Sequence, residues 1–314
     1  MSGKIIVICG PTASGKTALS IELARRFDGE VVSADSMQIY RRMDIGTAKP
    51  TPEERAGVPH HMLDVADPGE GYSVARYVRE AGACVEDILS RGKRPIVCGG
   101  TGLYIDGLLR GTDFQPGGTD TGLREALERE WAELGPKAMM AALAAVDPES
   151  AARLHLSDKR RILRALEVYR ATGETITVHN ARTRQQPPRY DAVMIGLTAE
   201  PRSILYDRID RRVDRMLEQG LLEEVRGLLR DGLLEGTAAQ AIGYKELLAC
   251  IRGETTLEAA AGLIRQKSRN YAKRQLTWFR RDKRIHWICF NAPEAAVAVL
   301  QEATDYLQNT LYNG

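Results

Sequence analysis

The sequence has few of the features that mark secreted or membrane proteins. Its cysteines are odd in number and scattered, and no pair has the spacing of zinc ligands: Cys9, Cys84, Cys98, Cys250 and Cys289. This pattern favours reduced, buried cysteines over a disulfide framework. No apolar run approaches the roughly 20 residues that a membrane helix requires. The first apolar segment begins almost at once and leaves no room for a signal peptide, so we expect a cytoplasmic protein with no membrane segment.

A large excess of charge is also absent, because 44 Lys and Arg residues nearly balance 42 Asp and Glu residues. The resulting net charge of +2 by itself indicates no class of partner. The distribution is more informative, since residues 263–284 contain nine Lys or Arg residues and only Asp282 as an acid, a local balance of +8. The remainder of the chain therefore carries −6. Such segregation is typical of a docking surface for a polyanion.

The order of apolar and polar segments predicts an α/β protein with a helical insertion. Residues 1–110 alternate strands (4–9, 30–33, 95–98) with helices (16–26, 74–91, 103–110), the pattern of a parallel sheet with crossover helices. An all-helical segment follows, with helices at 121–134, 136–145 and 157–171 and a polar linker at 180–188. Strand character returns at 191–197, a long helix begins after Pro201, and the last apolar run is 285–290. We therefore predict a core of residues 1–114 and 189–314 and an insertion of residues 115–188.

The most specific motif directly follows the first predicted strand. It matches the pattern G-x-x-x-x-G-K-[ST] and consists of Gly10, Pro11, Thr12, Ala13, Ser14, Gly15, Lys16 and Thr17. Glycines let the backbone curl so that consecutive N–H groups face one anion at the N-terminus of the helix that follows. In this pattern the lysine reaches the outer phosphate, and the threonine hydroxyl can hold Mg²⁺. The sequence therefore predicts a di- or triphosphate site with Thr17 as the metal ligand.

Two further turns are expected at the same edge of the sheet. Asp35 follows the second predicted strand, and in an open parallel sheet ligands bind at the carboxyl ends of the strands. From its position alone, Asp35 fits a general base, an outer-shell magnesium ligand or a helix N-cap. The third strand ends in a glycine-rich turn around Thr101, which is either a second anion-facing turn or a plain tight turn.

The last predicted helix of the insertion concentrates arginines on one face. Arg160, Arg161 and Arg164 fall within one arc, while Ile162 and Leu163 lie on the opposite side. Acids rather than arginines are expected near a helix N-terminus, so this face favours an anionic partner, with a solvated charged face as the alternative.

The predicted helix at 257–281 separates neutral and basic positions more clearly. The inward positions are Ala261, Ile264, Ser268, Tyr271, Gln275 and Trp278. The outward positions are Arg265, Lys267, Arg269, Lys273, Arg274, Arg280 and Arg281. Faces of mixed sign are usual for solubility alone, so this face favours contact with a phosphate backbone. In residues 208–217 arginines instead alternate with acids, and the sequence does not choose which arginine reaches the crevice.

Taken together, these segments resemble the tRNA dimethylallyltransferase (tRNA isopentenyltransferase) family. The resemblance rests on GPTASGKT, ADSMQIYRRMDIGTAKP, GGTGLYI, RRILRALEVYRATG, RVDRMLEQGL, QAIGYKE and YAKRQLTWFRRD, which span residues 10–282 in family order. It implies a P-loop NTPase-like parallel sheet core flanked by helices, a helical insertion domain and a channel between them. The activity it implies is transfer of the dimethylallyl group from dimethylallyl diphosphate to the exocyclic N6 amine of the adenosine 3′-adjacent to the anticodon in tRNA. Diphosphate is released and Mg²⁺ is the cofactor, and we expect a monomer that binds the anticodon stem-loop.

The resemblance also implies roles for residues at matching positions. Asp35 is implied as the base that takes a proton from the adenine amine, and Thr101 and Arg212 as ligands of the diphosphate beside Lys16 and Thr17. The implied tRNA contacts are Asp35, Ser36, Met37, Gln38, Thr101, Arg124, Arg160, Arg161, Ile162, Leu163, Arg164, Gln240, Ala241, Ile242, Gly243, Tyr244, Lys245, Lys273, Arg274, Arg280 and Arg281.

Three other functions would use part of the same pattern. A P-loop small-molecule kinase would use the same loop, with Asp35 as the base towards an alcohol, but it leaves the +8 segment unexplained. An adenylate isopentenyltransferase acting on free nucleotide shares the chemistry but does not need the arginine faces. A non-enzymatic RNA-binding protein would explain the basic helices but not the phosphate loop.

Overall fold

A six-stranded parallel sheet organises the larger of two structural units. The computed structural model describes residues 4–112, 114, 121–292 and 295–312. Within them the strands are β1 (Ile5–Cys9), β2 (Gly29–Ser33), β3 (His60–His61), β4 (Arg94–Gly99), β5 (Ala192–Ala199) and β6 (Ile285–Phe290). Their spatial order is β3-β2-β4-β1-β5-β6, and all neighbouring pairs are parallel. The carboxyl ends of the strands therefore meet at one edge, and the predicted α/β class is confirmed.

Thirteen α-helices are found in the described residues. Those of the first half are α1 (Lys16–Arg26), α2 (Pro52–Arg55), α3 (Val74–Ser90), α4 (Gly102–Arg110), α5 (Thr121–Val146), α6 (Pro148–Arg153) and α7 (Lys159–Thr172). Those of the second half are α8 (Ile176–Gln185), α9 (Arg202–Glu218), α10 (Leu221–Arg230), α11 (Tyr244–Ile251), α12 (Leu257–Phe279) and α13 (Ala296–Tyr312). A short 3₁₀ helix (Ala238–Gln240) precedes α11. None of the described helices combines the length and apolar character needed to cross a membrane.

Helices α1 and α13 pack against one face of the sheet. Ile8 of β1, Ile96 of β4, Leu23 of α1 and Leu307 of α13 are fully buried in one hydrophobic cluster. Complete burial of such a side chain contributes about 1.5–3 kcal/mol, so this layer is a major source of stability. The sequence analysis ended its elements at the last apolar run and did not predict α13. Polar residues surround its few deeply buried positions, and its packing on α1 and β5 is a long-range contact.

The smaller unit, Arg110–Arg189, contains helices and no strand in its described residues. Leu127, Leu143 and Leu163 are fully buried in its own hydrophobic cluster. The long helix α5 breaks at Gly135, whose φ of 78° is left-handed, and Pro136 follows. The two segments therefore correspond to the predicted helices at 121–134 and 136–145.

The prediction of a linker at 180–188 is wrong for most of that range, because α8 extends to Gln185. Its sequence has no clear apolar face, which is why pattern analysis failed. Contacts outside the helix stabilise it instead. The Thr175 hydroxyl accepts the N–H of Val178 at the N-cap, and the Thr177 hydroxyl donates to Asp147 at 2.7 Å.

The larger unit comprises Met1–Leu109 and Tyr190–Gly314. The sequence analysis placed the same two boundaries at 114/115 and 188/189. Residues 113 and 115–120 lie outside the described residues. The second boundary falls just before β5, where Tyr190 is buried and its hydroxyl donates to Glu86 at 2.9 Å.

Candidate active site

The phosphate loop between β1 and α1 has the conformation that its glycines allow. Gly10 and Gly15 have φ of 136° and 92°, in the range that favours glycine. A Cβ atom on Gly10 would lie 2.6 Å from the carbonyl oxygen of Leu197, so no other residue fits. The Ser14 hydroxyl is buried and has no hydrogen-bond partner in the described part of the chain. The loop thus keeps an unused donor at the N-terminus of α1, where an anion would bind.

Two partly buried cations, Lys16 and Arg212, lie at this loop. Lys16, the first residue of α1, donates from Nζ to the carbonyl of Pro11 at 2.6 Å. Burial, together with the positive charge of Arg212, lowers the pKa of Lys16 to about 8. Burial also lowers the pKa of the Arg212 guanidinium, whereas the charge of Asp35 favours the protonated forms of both groups. Two partly buried like charges that lie close together are unfavourable unless a negative charge neutralises them, so the site favours an anionic ligand.

Asp35 and Thr101 are joined by the turn that follows β2. Oδ1 of Asp35 accepts the backbone N–H of Met37 at 2.8 Å, so this carboxylate does cap the turn. The Thr101 hydroxyl accepts the N–H of Ser36 at 3.1 Å, and the Thr101 N–H donates to Ala34. Within the described residues no group bonds to Oδ2 of Asp35, and Asp35 lines a cavity. The capping role and a role towards a ligand are therefore compatible.

A cavity of about 370 Å³ is lined by the phosphate loop, Arg212 and the turn at Asp35, and Thr101 is not among its lining residues. The predicted site residues that line it are Thr12, Lys16, Thr17, Asp35, Ser36, Met37, Gln38, Arg212, Gln240, Ala241, Ile242, Gly243 and Arg274. A second cavity of about 980 Å³ lies against the other side of the phosphate loop, and Lys16, Thr17 and Arg212 line both. Of the arginines on α9, Arg212 is thus the one that faces the cavity beside Asp35, which the sequence alone did not decide.

Helix α12 presents its predicted inward face to this site. Gln275 is buried, and the Trp278 indole donates from Nε1 to Asp106 at 2.9 Å. The predicted outward face is wrong at two positions, because Arg265 pairs with Asp214 and Arg269 pairs with Asp210 on α9. The helix ends at Phe279, so Arg280 and Arg281 follow it. The residues left exposed, none of which has a carboxylate partner in the described residues, are Lys267, Lys273, Arg274, Arg280, Arg281 and Lys283.

The segment 240–245 divides between the cavity and the core. Tyr244 is fully buried, so its side chain is not available to RNA. Its hydroxyl donates to Glu224 at 2.5 Å, and the same carboxylate accepts the N–H groups of Asp44, Ile45 and Gly46. Glu224 therefore fixes the loop that carries the cavity residues Gly46 and Thr47. Sequence reasoning missed Glu224, because the backbone groups that it binds are about 180 residues away.

In the helical unit the predicted RNA contacts also differ in availability. Arg160 and Arg161 are exposed. The side chains of Ile162 and Leu163 are fully buried in the hydrophobic cluster of that unit, so they are not available to RNA. The other two arginines already have partners. Arg124 pairs with Glu128 at 3.0 Å, and Arg164 pairs with Glu167 at 2.8 Å and donates to the carbonyl of Phe114.

Comparison with known proteins places this geometry in a family. A family model described as IPP transferase matches residues 38–282. The tRNA dimethylallyltransferase of Carboxydothermus hydrogenoformans is 49% identical over 287 residues, 91% of this chain and 92% of that protein. The tRNA dimethylallyltransferase of Geobacillus thermodenitrificans is 48% identical over 311 residues, 99% of this chain and 98% of that protein.

Two solved structures agree with these sequences. The full-length tRNA isopentenylpyrophosphate transferase of Bacillus halodurans has a TM-score of 0.74 and 41% identity, covering 99% of this chain and 97% of that chain. A eukaryotic dimethylallyltransferase acting on tRNA has a TM-score of 0.86 and 32% identity, covering 99% of this chain and 80% of that chain. The resemblance drawn from the sequence is thereby confirmed, and this chain belongs to the IPP transferase family.

Proposed function

We propose that this protein transfers the dimethylallyl group of dimethylallyl diphosphate to the N6 amine of the adenosine 3′-adjacent to the anticodon in a tRNA. The observation that carries the proposal is the position of Asp35 in a cavity that the cations Lys16 and Arg212 also line. The names of the relatives support the same reaction. The enzyme is a transferase whose leaving group is diphosphate.

The phosphate loop suits the diphosphate of the donor. Lys16 and Arg212 are partly buried cations, and the Ser14 hydroxyl lacks a partner in the described residues. When the bond between the allylic carbon and its oxygen breaks, the electron pair and the new negative charge stay on the diphosphate. Preorganised cations and N–H groups stabilise this charge more strongly than water does, and such stabilisation is usually the largest contribution to catalysis.

Asp35 suits the acceptor side of the reaction. The adenine amine is a poor nucleophile because its lone pair is delocalised into the ring, so the electrophile must supply most of the reactivity. As the C–N bond forms, the amine loses a proton, and Oδ2 of Asp35 is the acceptor that we assign to it. The base must leave its stack to reach the cavity, which is least costly in a single-stranded loop.

Thr17 is the residue that would hold Mg²⁺. The described residues contain no group of three or more His, Cys, Asp or Glu side chains that could bind a metal by themselves. Mg²⁺ is commonly held by one or two protein oxygens together with substrate phosphates, so a hydroxyl beside the phosphate loop fits this ion. Bound there, the ion would neutralise charge on the diphosphate.

The exposed basic residues of and after α12 suit the tRNA backbone. Arg274 lines the same cavity as Asp35, so a backbone held along this helix would lie close to the reacting base. A small-molecule kinase or an adenylate isopentenyltransferase gives these unpaired cations no role. We expect the protein to act as a monomer on the anticodon stem-loop.

An incorporation assay separates these functions. Labelled dimethylallyl diphosphate is offered with an anticodon stem-loop RNA and AMP in one reaction, and the label in each product is counted. We expect label in the RNA alone and inorganic diphosphate as the second product. Label in AMP alone, or consumption of ATP in place of the prenyl donor, would reject the proposal. A stem-loop with guanosine at the target position is the matched control.

A further inference from the structure

A buried side chain of α12 completes the phosphate loop from a distant part of the sequence. Gln275 is 5% exposed. Its Oε1 accepts the backbone N–H of Thr12 at 2.8 Å, and its Nε2 donates to the carbonyl of Gly100 at 2.9 Å. Thr12 belongs to the phosphate loop, and Gly100 to the glycine-rich turn after β4. One amide therefore joins the two turns that end neighbouring strands.

The residues around Gln275 leave space for this amide and match its donor and its acceptor. A Cβ atom on Gly100 would lie 2.1 Å from Nε2, so only glycine leaves room for the side chain. The amide matches a backbone donor on one side and a backbone acceptor on the other in a single orientation. The reverse orientation would place N–H against N–H and oxygen against oxygen. Without the amide, the buried carbonyl of Gly100 and the partly buried N–H of Thr12 would each lose this partner, which is costly.

The phosphate loop needs such support. Gly10, Ala13 and Gly15 all have positive φ, so the loop adopts a conformation that its own backbone only weakly enforces. An anion site is effective when its donors already point at the ligand before it binds. The contact at Thr12 fixes the middle of the loop, between the two glycines.

We propose that Gln275 is a positioning residue of the diphosphate site. It holds the phosphate loop against the turn at Gly100, so that the loop amides and Lys16 face one anion. The inference rests on the proposed function only in naming that anion as the diphosphate of the prenyl donor. It also attaches the loop to the helix that carries Lys273 and Arg274.

Binding of inorganic diphosphate with Mg²⁺ and without RNA, measured by calorimetry, tests the role directly. Gln275→Met keeps the volume and removes both hydrogen bonds, so we expect about tenfold weaker binding. Gln275→Glu keeps the acceptor for Thr12 but loses the donor to Gly100 and adds a negative charge, so we expect weaker binding still. In the transfer reaction the KM for the donor should rise in the same order, while the KM for RNA stays unchanged.

Two control variants separate positioning from folding. Trp278→Phe removes the bond from the same helix to Asp106 without touching the phosphate loop, and Gln266→Met makes the same substitution at an exposed site of α12. We expect a lower melting temperature for Trp278→Phe and wild-type diphosphate affinity for both. Wild-type affinity of Gln275→Met, or an equal loss in Trp278→Phe, would overturn the inference. If the wild type transfers no prenyl group to RNA but Gln275→Met still loses diphosphate affinity, only the proposed function fails.

Discussion

Positive charge occurs in two different environments in this molecule, at the phosphate loop and on the surface of α12. The first environment suits the chemical step, and the second suits RNA binding. Lys16 and Arg212 are partly buried at the phosphate loop, and removal from solvent lowers the pKa of each. Lys273, Arg274 and the other unpaired basic residues of and after α12 are exposed to solvent. A charge that is partly shielded from solvent acts strongly on one nearby atom. Exposed charges act weakly and are screened by salt, but their contributions to binding add together. We therefore expect the first group to control turnover of the donor and the second to control affinity for RNA.

Loss of the Lys16 charge at the phosphate loop should have the largest effect. Lys16→Met removes a cation that stabilises the leaving diphosphate, so we expect kcat/KM for the donor to fall by about 10³-fold. Affinity for RNA, measured by filter binding, should stay within about twofold, because exposed charges dominate it. Lys93→Met is the matched control, since Lys93 precedes β4 at the opposite edge of the sheet and pairs with Asp28. Equal losses in RNA binding and in donor turnover would contradict the division of roles.

Removal of the proton acceptor should have the next largest effect. Asp35→Ala should lower kcat by about 10²-fold, the usual contribution of a general base, and leave RNA affinity nearly unchanged. Asp28→Asn, just before the amino end of β2, should behave as the wild type. Single-turnover rates and binding are measured on the same preparations. If Asp35→Ala weakens RNA binding as much as it slows turnover, Asp35 only positions the RNA.

Helix α12 itself offers a matched pair of double variants. Lys273→Ala with Arg274→Ala removes two unpaired cations, so we expect about tenfold weaker RNA binding and a shallower dependence on salt. Arg265→Ala with Arg269→Ala removes two arginines that pair with Asp214 and Asp210, so we expect lower thermal stability without a change in the salt slope. The measurement is the slope of log Kd for RNA against the logarithm of the salt concentration, compared between the two double variants. Equal slopes for the two double variants would mean that pairing does not distinguish these residues.

The smallest expected effect is a dependence on pH. The pKa of Lys16 is lowered to about 8, so the free enzyme loses this positive charge as the pH rises through that value. Because an anion binds best to the protonated amine, kcat/KM for the donor should fall above about pH 8, by less than tenfold per pH unit. RNA affinity should stay level from pH 7 to about pH 9, since the exposed basic residues stay protonated there. A donor kcat/KM that stays level over the same range would show that the Lys16 charge does not limit the reaction.

The phosphate loop could be predicted from the sequence because the residues that indicate it are close together in the chain. The strand, the glycines and the helix that follows are neighbours in the chain, so one motif fixes their geometry. Asp35 and Thr101 were placed by the rule that strand ends meet at one edge of a parallel sheet. The residues alone did not choose among the arginines of α9; the family resemblance implied Arg212, and the structure shows that Arg212 lines the cavity beside Asp35.

Helix α12 shows why the rest could not be predicted. Periodicity identified its neutral face, including Gln275, but it could not reveal that Gln275 bonds to Thr12, 263 residues away. The acids that pair with Arg265 and Arg269 lie on α9, more than 50 residues away in sequence. The prediction of a linker where α8 lies failed for the same reason. This helix depends on Thr175 and on Asp147 rather than on an apolar face of its own.

The most direct test of the account is a crystal structure with a non-hydrolysable thio analogue of dimethylallyl diphosphate and an anticodon stem-loop. The account predicts the diphosphate on the phosphate loop against Lys16 and Arg212, and the target adenine turned into the cavity with its amine beside Asp35. Diphosphate bound away from the loop, or an adenine that never approaches Asp35, would contradict it.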